Sequence, residues 1–196
     1  TDSNAAVLAA NPSDEEGITV LGSTIVLKKF SDHPIYGAGI TNHLVSGRWL
    51  CGGASNAGGA VLKNFFNPEE IEELSNQINP DYKTGLRLRP LPFKGERFPI
   101  DDPYLEPVLT PRPTSDALYL QALLEGLAEI ELKGWEKLRE LGMTPPKKII
   151  SIGAGAKNLI WKKIREKIIQ IPIRISKKPP AVGVAMIAMK AIYKNK

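Results

Sequence analysis

The sequence predicts an α/β domain in which a mixed β-sheet is flanked by helices. Three observations predict it. Short β-branched runs cluster in the first quarter of the chain, a long amphipathic helix pattern follows residue 115, and from there strand and helix patterns alternate.

The elements follow in order. Ala5 to Ala10 is a short apolar helix pattern preceded by Asp2, and Asn11-Pro12-Ser13 reads as a turn. Ile18 to Leu21 is a strand by its β-branched content. Gly22-Ser23-Thr24 reverses the chain, and Ile25-Val26-Leu27 returns as a second strand. Ile40 to Val45 and Arg48 to Cys51 read as two more, joined at Ser46-Gly47. The small-residue run Gly52 to Ala60 leads into Val61 to Phe66, and the whole stretch is expected to be helical. Asn67-Pro68-Glu69-Glu70 starts a further helix, with Asn as cap, Pro at the first position and Glu at the third; it runs to about Gln77.

Residues 80 to 113 hold eight of the sixteen prolines and cannot be regular helix. Extended surface segments are expected there, with one short strand at Gly85 to Leu88. The alternative is a linker between two domains; one domain over residues 1–196 is preferred. Asp116 to Leu141 is a helix ~40 Å long, with Leu120, Leu123, Leu124, Leu127, Ile130, Trp135, Leu138 and Leu141 as its apolar stripe. Gly126 and Gly134 are expected to admit a neighbour closely. Gly142 ends it, ahead of Pro145-Pro146. Lys148 to Ile152 is a buried strand, Gly153-Ala154-Gly155-Ala156 a tight turn, Asn158 to Ile168 a helix, Ile171 to Ile175 a strand, and Pro180 to Tyr193 a last apolar helix.

Composition narrows the function. The chain has 196 residues, enough for one domain with a real core. Apolar residues make up 42% and charged residues 24%, ordinary for a globular protein. No apolar run approaches the ~18–20 residues of a membrane helix. The net charge of +5 comes from dispersed Lys and Arg, without zinc-finger spacing or an RNA-binding aromatic motif, so no nucleic-acid partner is expected. The Lys162–Lys167 cluster reads as a solvated helix face. The single cysteine, Cys51, excludes an intrachain disulfide and favours a reducing compartment. His33 and His43 read as packing or surface residues, and no residue set has structural-zinc spacing.

Three glycine-containing turns carry the candidate chemistry. Gly22-Ser23-Thr24 joins two strands; such a tip can present N–H groups and hydroxyls to an anion, although an ordinary β-turn explains it more simply. Gly58 and Gly59 lie in a run whose glycines weaken a helix by up to ~1 kcal/mol each relative to Ala. Either a ligand or a neighbouring segment must approach that backbone. Gly153, Ala154 and Gly155 follow a buried strand and open a helix, where backbone amides favour anions. The dinucleotide fingerprint is incomplete, and its acidic partner is missing at Pro172 to Arg174, so a dinucleotide fold is rejected. Asn158 carries both donor and acceptor for a purine edge. Trp161 shares its helix face, either to stack on a base or as plain core.

These turns recur in this order in the actin-like sugar kinases, and the chain resembles the C-terminal domain of the FGGY carbohydrate kinases. The segments Leu21 to Lys28, Gly53 to Leu62, Gly95-Glu96-Arg97-Phe98-Pro99 and Leu109 to Pro113 are similar to the xylulokinase-like and ribulokinase-like members of cyanobacteria and plants. The likeness covers essentially the whole chain.

The resemblance implies an actin-like (ribonuclease H-like) ATPase domain that binds ATP, with Mg²⁺ accompanying it. It implies a partner N-terminal domain that holds the sugar, a pentulose such as D-ribulose or D-xylulose. Asp2 matches the family's catalytic aspartate, the general base on the attacking hydroxyl. Gly22, Ser23 and Thr24 match the loop facing the β- and γ-phosphates. Gly58 and Gly59 match the segment near the ribose and α-phosphate, and Gly153, Ala154, Gly155 and Asn158 the adenosine motif. The family more often has Gly-Thr followed by Ser or Gly at the hairpin tip, and Gly where Ala154 stands. Relatives often carry Glu before the last helix, where this chain has Pro179-Pro180. The chain starts at Thr1, so a preceding segment is expected, and the fragment alone is expected to be inactive. A cytoplasmic location is expected, or a plastid in a plant. The competing function is an actin-like nucleotide-binding module without kinase chemistry.

Overall fold

The computed structural model describes residues 2–45 and 47–176, so the helix expected at Pro180 to Tyr193 lies outside the described residues. Its elements are helices α1 (Asp2–Ala10), α2 (Gly59–Leu62), α3 (Pro68–Ser75), α4 (Asp116–Glu140) and α5 (Leu159–Ile169). Its strands are β1 (Glu16–Leu21), β2 (Ile25–Ser31), β3 (Ile40–Val45), β4 (Arg48–Ala54), β5 (Lys148–Ile152) and β6 (Ile173–Ile175). The six strands form one sheet in the order β3-β4-β2-β1-β5-β6. The pairs β1–β2, β2–β4 and β3–β4 are antiparallel, whereas β1–β5 and β5–β6 are parallel. This is the mixed α/β sheet that the sequence predicts.

Strand alternation divides the apolar residues between two faces. Leu21, Ile25, Leu27, Cys51, Ile149 and Ile173 face the large core beneath α4 and α5. Ile18, Leu50, Ile150 and Ile152 face the other way, against Val7 and Ala10 of α1. Helix α4 is buried along most of its 25 residues, wider than an amphipathic stripe, because α3, α5 and the proline-rich segment all pack on it. Its glycines admit these neighbours: a Cβ on Gly126 would lie 2.7 Å from the Leu88 carbonyl oxygen, and one on Gly134 would lie 2.5 Å from Leu27.

Two expectations are corrected. Gly52, Gly53 and Ala54 extend β4 and are not helical; helix forms only at Gly59–Leu62. Gly52 sits where a Cβ would lie 1.8 Å from the Leu27 carbonyl oxygen, and a Cβ on Gly53 would lie 2.4 Å from the Phe98 ring. The glycines thus serve sheet and ring packing. Gly85 to Leu88 form no strand: the proline-rich segment is extended, with isolated bridges only at Arg89–Val108 and Glu96–Asp102.

Candidate functional site

Strand pairing brings the three glycine turns to one edge of the sheet. Parallel pairing of β1 with β5 sets Val20 beside Ile152, so both strands end together and release Gly22 and Gly153 side by side. Gly153 has φ +97°, and a Cβ there would lie 2.4 Å from the Leu21 carbonyl oxygen; only glycine fits that turn without strain.

The turn at residues 57–60 is fastened to the tip of the β1–β2 hairpin. The Ile25 N–H donates to the Ala57 carbonyl at 2.7 Å, Gly59 N–H to Gly22 at 2.9 Å, and Ala60 N–H to Ser23 at 3.1 Å. Gly58 is pressed so closely on the hairpin that a Cβ would lie 2.5 Å from the Ser23 carbonyl oxygen and 2.6 Å from Thr24 Cα. Ser23 is exposed and Thr24 half-buried. A Cβ on Gly22 would meet nothing nearer than 3.8 Å, so the outer side of the tip is open to an incoming group.

After Gly153 the chain makes a single 3-10 turn, Ala154–Lys157, and then enters α5. Asn158 caps that helix: its Oδ1 accepts from Trp161 N–H at 2.9 Å, and its Nδ2 donates to Ser75 Oγ of α3 at 2.8 Å. One N–H and one lone pair of the amide are left for a ligand. Gly153 and Ala154 are exposed, and Leu159 presents an apolar side chain beside them, 61% exposed. Trp161 lies beneath the turn, 2% exposed, with its ring against Gly155. Its indole nitrogen is buried without a hydrogen-bond partner among the described residues. Asp2 opens α1, which packs on the sheet face away from α4 and α5.

Several residues at this edge had no local sign in the sequence. Ser75 holds Asn158 from 83 positions away, and Glu96 holds Ser55 from 41. Within Gly95 to Pro99, the residues neighbouring Glu96 in sequence give its carboxylate no evident role; its partners Ser55 and Asn56 lie 41 and 40 positions earlier. A cavity of about 650 Å³ lies elsewhere, between the proline-rich segment and α4, where Arg87, Arg89, Glu129 and Lys133 reach its walls; none of the glycine-turn residues lines it. Among the described residues no three His, Cys, Asp or Glu side chains come together as a metal-holding group, and no helix is long and apolar enough to cross a membrane.

The fold is shared with known sugar kinases. A xylulose kinase from Bifidobacterium adolescentis superposes with a TM-score of 0.76 at 23% identity, over 95% of this chain and 39% of that one. A ligand-bound xylulose kinase from Lactobacillus acidophilus gives 0.79 at 17% identity, over 98% and 42%. A glycerol kinase from Plasmodium falciparum with ADP gives 0.74 at 17%, over 95% and 40%. At these identities the likeness is one of fold, and the chain spans 39% to 42% of the length of these kinases. Residues 19–192 match the C-terminal domain of the FGGY family of carbohydrate kinases, and the chain belongs to that family.

Proposed function

We propose that this chain is the ATP-binding part of a kinase that phosphorylates a sugar hydroxyl, with a pentulose such as D-ribulose or D-xylulose as substrate. The observation that carries the proposal is the meeting of three glycine turns at one edge of the sheet in a domain of this family.

In this reading the β- and γ-phosphates lie against Gly22, Ser23 and Thr24, where the tip is open and two hydroxyls stand ready. Gly58 and Gly59 back that tip near the ribose and α-phosphate. The purine lies over Gly153, Ala154 and Gly155, with Leu159 as an apolar neighbour. Asn158 and Trp161 hold this floor in shape from the side and from below.

Asp2 acts as general base. The sugar oxygen forms a bond to the γ-phosphorus as the bond from that phosphorus to the β-bridging oxygen breaks. ADP leaves with the electron pair, and the hydroxyl proton passes to the Asp2 carboxylate. Mg²⁺ would neutralise charge on the β- and γ-phosphates. Among the described residues no three His, Cys, Asp or Glu side chains come together to hold it, and another part of the full-length kinase would share in its binding. That part, an N-terminal domain, would also hold the sugar and supply much of the rate by positioning.

The test is a coupled assay of ADP release by the full-length protein with ATP and a panel of sugars. A pentulose is expected to be turned over, and Asp2→Asn is expected to lower the rate 10²–10⁴-fold. Undiminished activity in Asp2→Asn sinks the assigned base. ATP binding without turnover of any sugar favours a nucleotide-binding module without kinase chemistry.

A further inference from the structure

We infer that Glu96 is a positioning residue that holds the 57–60 turn, and through it the hairpin tip at Gly22-Ser23-Thr24, in the shape that receives the phosphates of the nucleotide. The inference rests on the proposed ATP site and adds to it a residue that stands outside all three glycine turns.

Glu96 is 5% exposed, yet among the described residues its carboxylate is not spent on an ion pair. It is surrounded instead by donors from the turn that precedes α2. Oε2 accepts from Ser55 Oγ at 2.5 Å, and Oε1 accepts from the Asn56 N–H at 2.8 Å. Oε1 also accepts from the Arg97 N–H at 2.9 Å. The neighbouring Gly95 carbonyl accepts from Asn56 Nδ2 at 3.1 Å. A carboxylate is acceptor-only, so it satisfies this ring of donors without presenting a hydrogen of its own.

The clamp is anchored behind and connected in front. Behind it, Glu96 and Asp102 exchange backbone hydrogen bonds of 2.8 and 2.9 Å, and Phe98 is packed against Gly53. In front, Ser55 Oγ accepts from the Ala57 N–H at 2.9 Å, and the Ser55 N–H donates to the Ile25 carbonyl at 2.9 Å. Ala57 in turn accepts from Ile25, and Gly59 and Ala60 donate to Gly22 and Ser23. Two hydrogen-bonded steps, Glu96 to Ser55 and Ser55 to Ile25, therefore lead from the carboxylate to the residue that follows the hairpin tip. Among the described residues no such path leads from it to Gly153–Asn158, whose supports are Leu21, Trp161 and Ser75.

This asymmetry defines the test. Calorimetric titration of the full-length protein with ATP and, separately, with adenosine is compared between wild type and Glu96→Gln. The amide keeps the side-chain shape but turns one acceptor into a donor facing Ser55 and Asn56. The expected result is a Kd for ATP raised about tenfold, equivalent to ~1.4 kcal/mol, with adenosine affinity unchanged. In turnover the KM for ATP rises while the KM for the sugar holds. Ser55→Ala removes one donor of the clamp, and a rise of about threefold in the ATP Kd is expected from it; it serves where Glu96→Gln fails to fold. Equal loss of ATP and adenosine affinity, or no loss of either in a folded variant, overturns the inference while leaving the nucleotide site in place. A folded wild type that binds neither ligand overturns the proposed function, and this inference with it.

Discussion

Glu131 of α4 and Arg165 of α5 form a fully buried, two-pronged ion pair: Arg165 Nε donates to Glu131 Oε2 at 2.6 Å and Nη2 to Oε1 at 2.8 Å. The pair is tied to the sheet on both sides. Thr19 of β1 donates its hydroxyl to Glu131 Oε1 at 2.5 Å, and Arg165 Nη1 donates to Ser151 Oγ of β5 at 2.8 Å. β1 and β5 are the parallel neighbours whose ends release Gly22 and Gly153. One polar knot thus sets both helices against the two strands that carry the candidate site.

Breaking one half of this knot leaves a charge with no partner in a dry interior. Arg165→Met is expected to destabilise the domain by about 3–5 kcal/mol. The double variant Glu131→Leu, Arg165→Met leaves no orphan charge and is expected to cost less than Arg165→Met alone. Urea unfolding of the set measures both values. A double variant worse than the single one shows that the pair is worth more than its desolvation.

Gly58 lets the 57–60 turn lie directly on the hairpin. Its φ of 161° is ordinary extended backbone, so strain in φ is not the obstacle. A methyl group there meets two backbone atoms of the hairpin within 2.6 Å, and backbone yields less readily than the end of a side chain. Gly58→Ala is expected to push the 57–60 turn away from Ser23 and Thr24, at about 1–3 kcal/mol of stability. Weakened ATP binding should accompany the lowered denaturation midpoint. Unaltered values of both would show that the two turns part easily.

Much of this architecture was legible, and the exceptions share a cause. Ile18 to Leu21 and Lys148 to Ile152 carry a β-branched signal of their own, and Asn67 with Glu70 forms the capping box that its spacing implies. The 126 and 134 glycines of the long helix are occupied by neighbours, as a gap in an apolar stripe suggests. Gly52 and Gly53 lie in a strand that local pattern does not mark, because residues without side chains carry no period. Arg165 is buried although the pattern around it is that of a solvated basic face, since its partner stands 34 positions earlier and local patterning cannot announce it. Likewise, the order of the glycine turns was visible, but the contacts of Glu96 and Ser75 that shape them are long-range.

Acid stability should depend on Glu16. The Arg174 guanidinium, bonded to Glu16 Oε1 at 2.6 Å, holds that carboxyl down at about 2, against the burial that raises it. A carboxylate depressed in the folded state stabilises above its unfolded pKa, and the gain is lost as pH falls through the folded value. The window is therefore from about pH 5 down to about 2. Because Arg174 is 47% exposed, solvent screening keeps the contribution to about 1 kcal/mol or less. Arg174→Ala is expected to flatten the acid limb of the stability curve over that window. A limb as steep as in wild type would place the acid sensitivity elsewhere.

At alkaline pH the telling residue is Lys28, whose side chain lies 3% exposed between β2 and β3. Gly52 stands between Lys28 and Thr41 in the strand register and has no side chain, so the ammonium reaches across it to Thr41 Oγ1 at 2.6 Å. Burial pushes this amine down to about 8, and the opposing influence of Cys51 is smaller. For a lysine the sign is the reverse of a stabilising ion pair. Above its unfolded value it is neutral in both states and carries no penalty. As pH falls towards 8 the unfolded chain takes up the proton first, and the folded state loses ground. Lys28→Met is therefore expected to stabilise the domain at pH 7, by about 1–2 kcal/mol once the lost hydrogen bond to Thr41 is set against the relieved desolvation. The gain should shrink steadily from pH 8 to about 10.5. Thermal unfolding of both proteins across that range decides it: destabilisation by Lys28→Met at pH 7 would show that the Thr41 contact outweighs the burial of the charge.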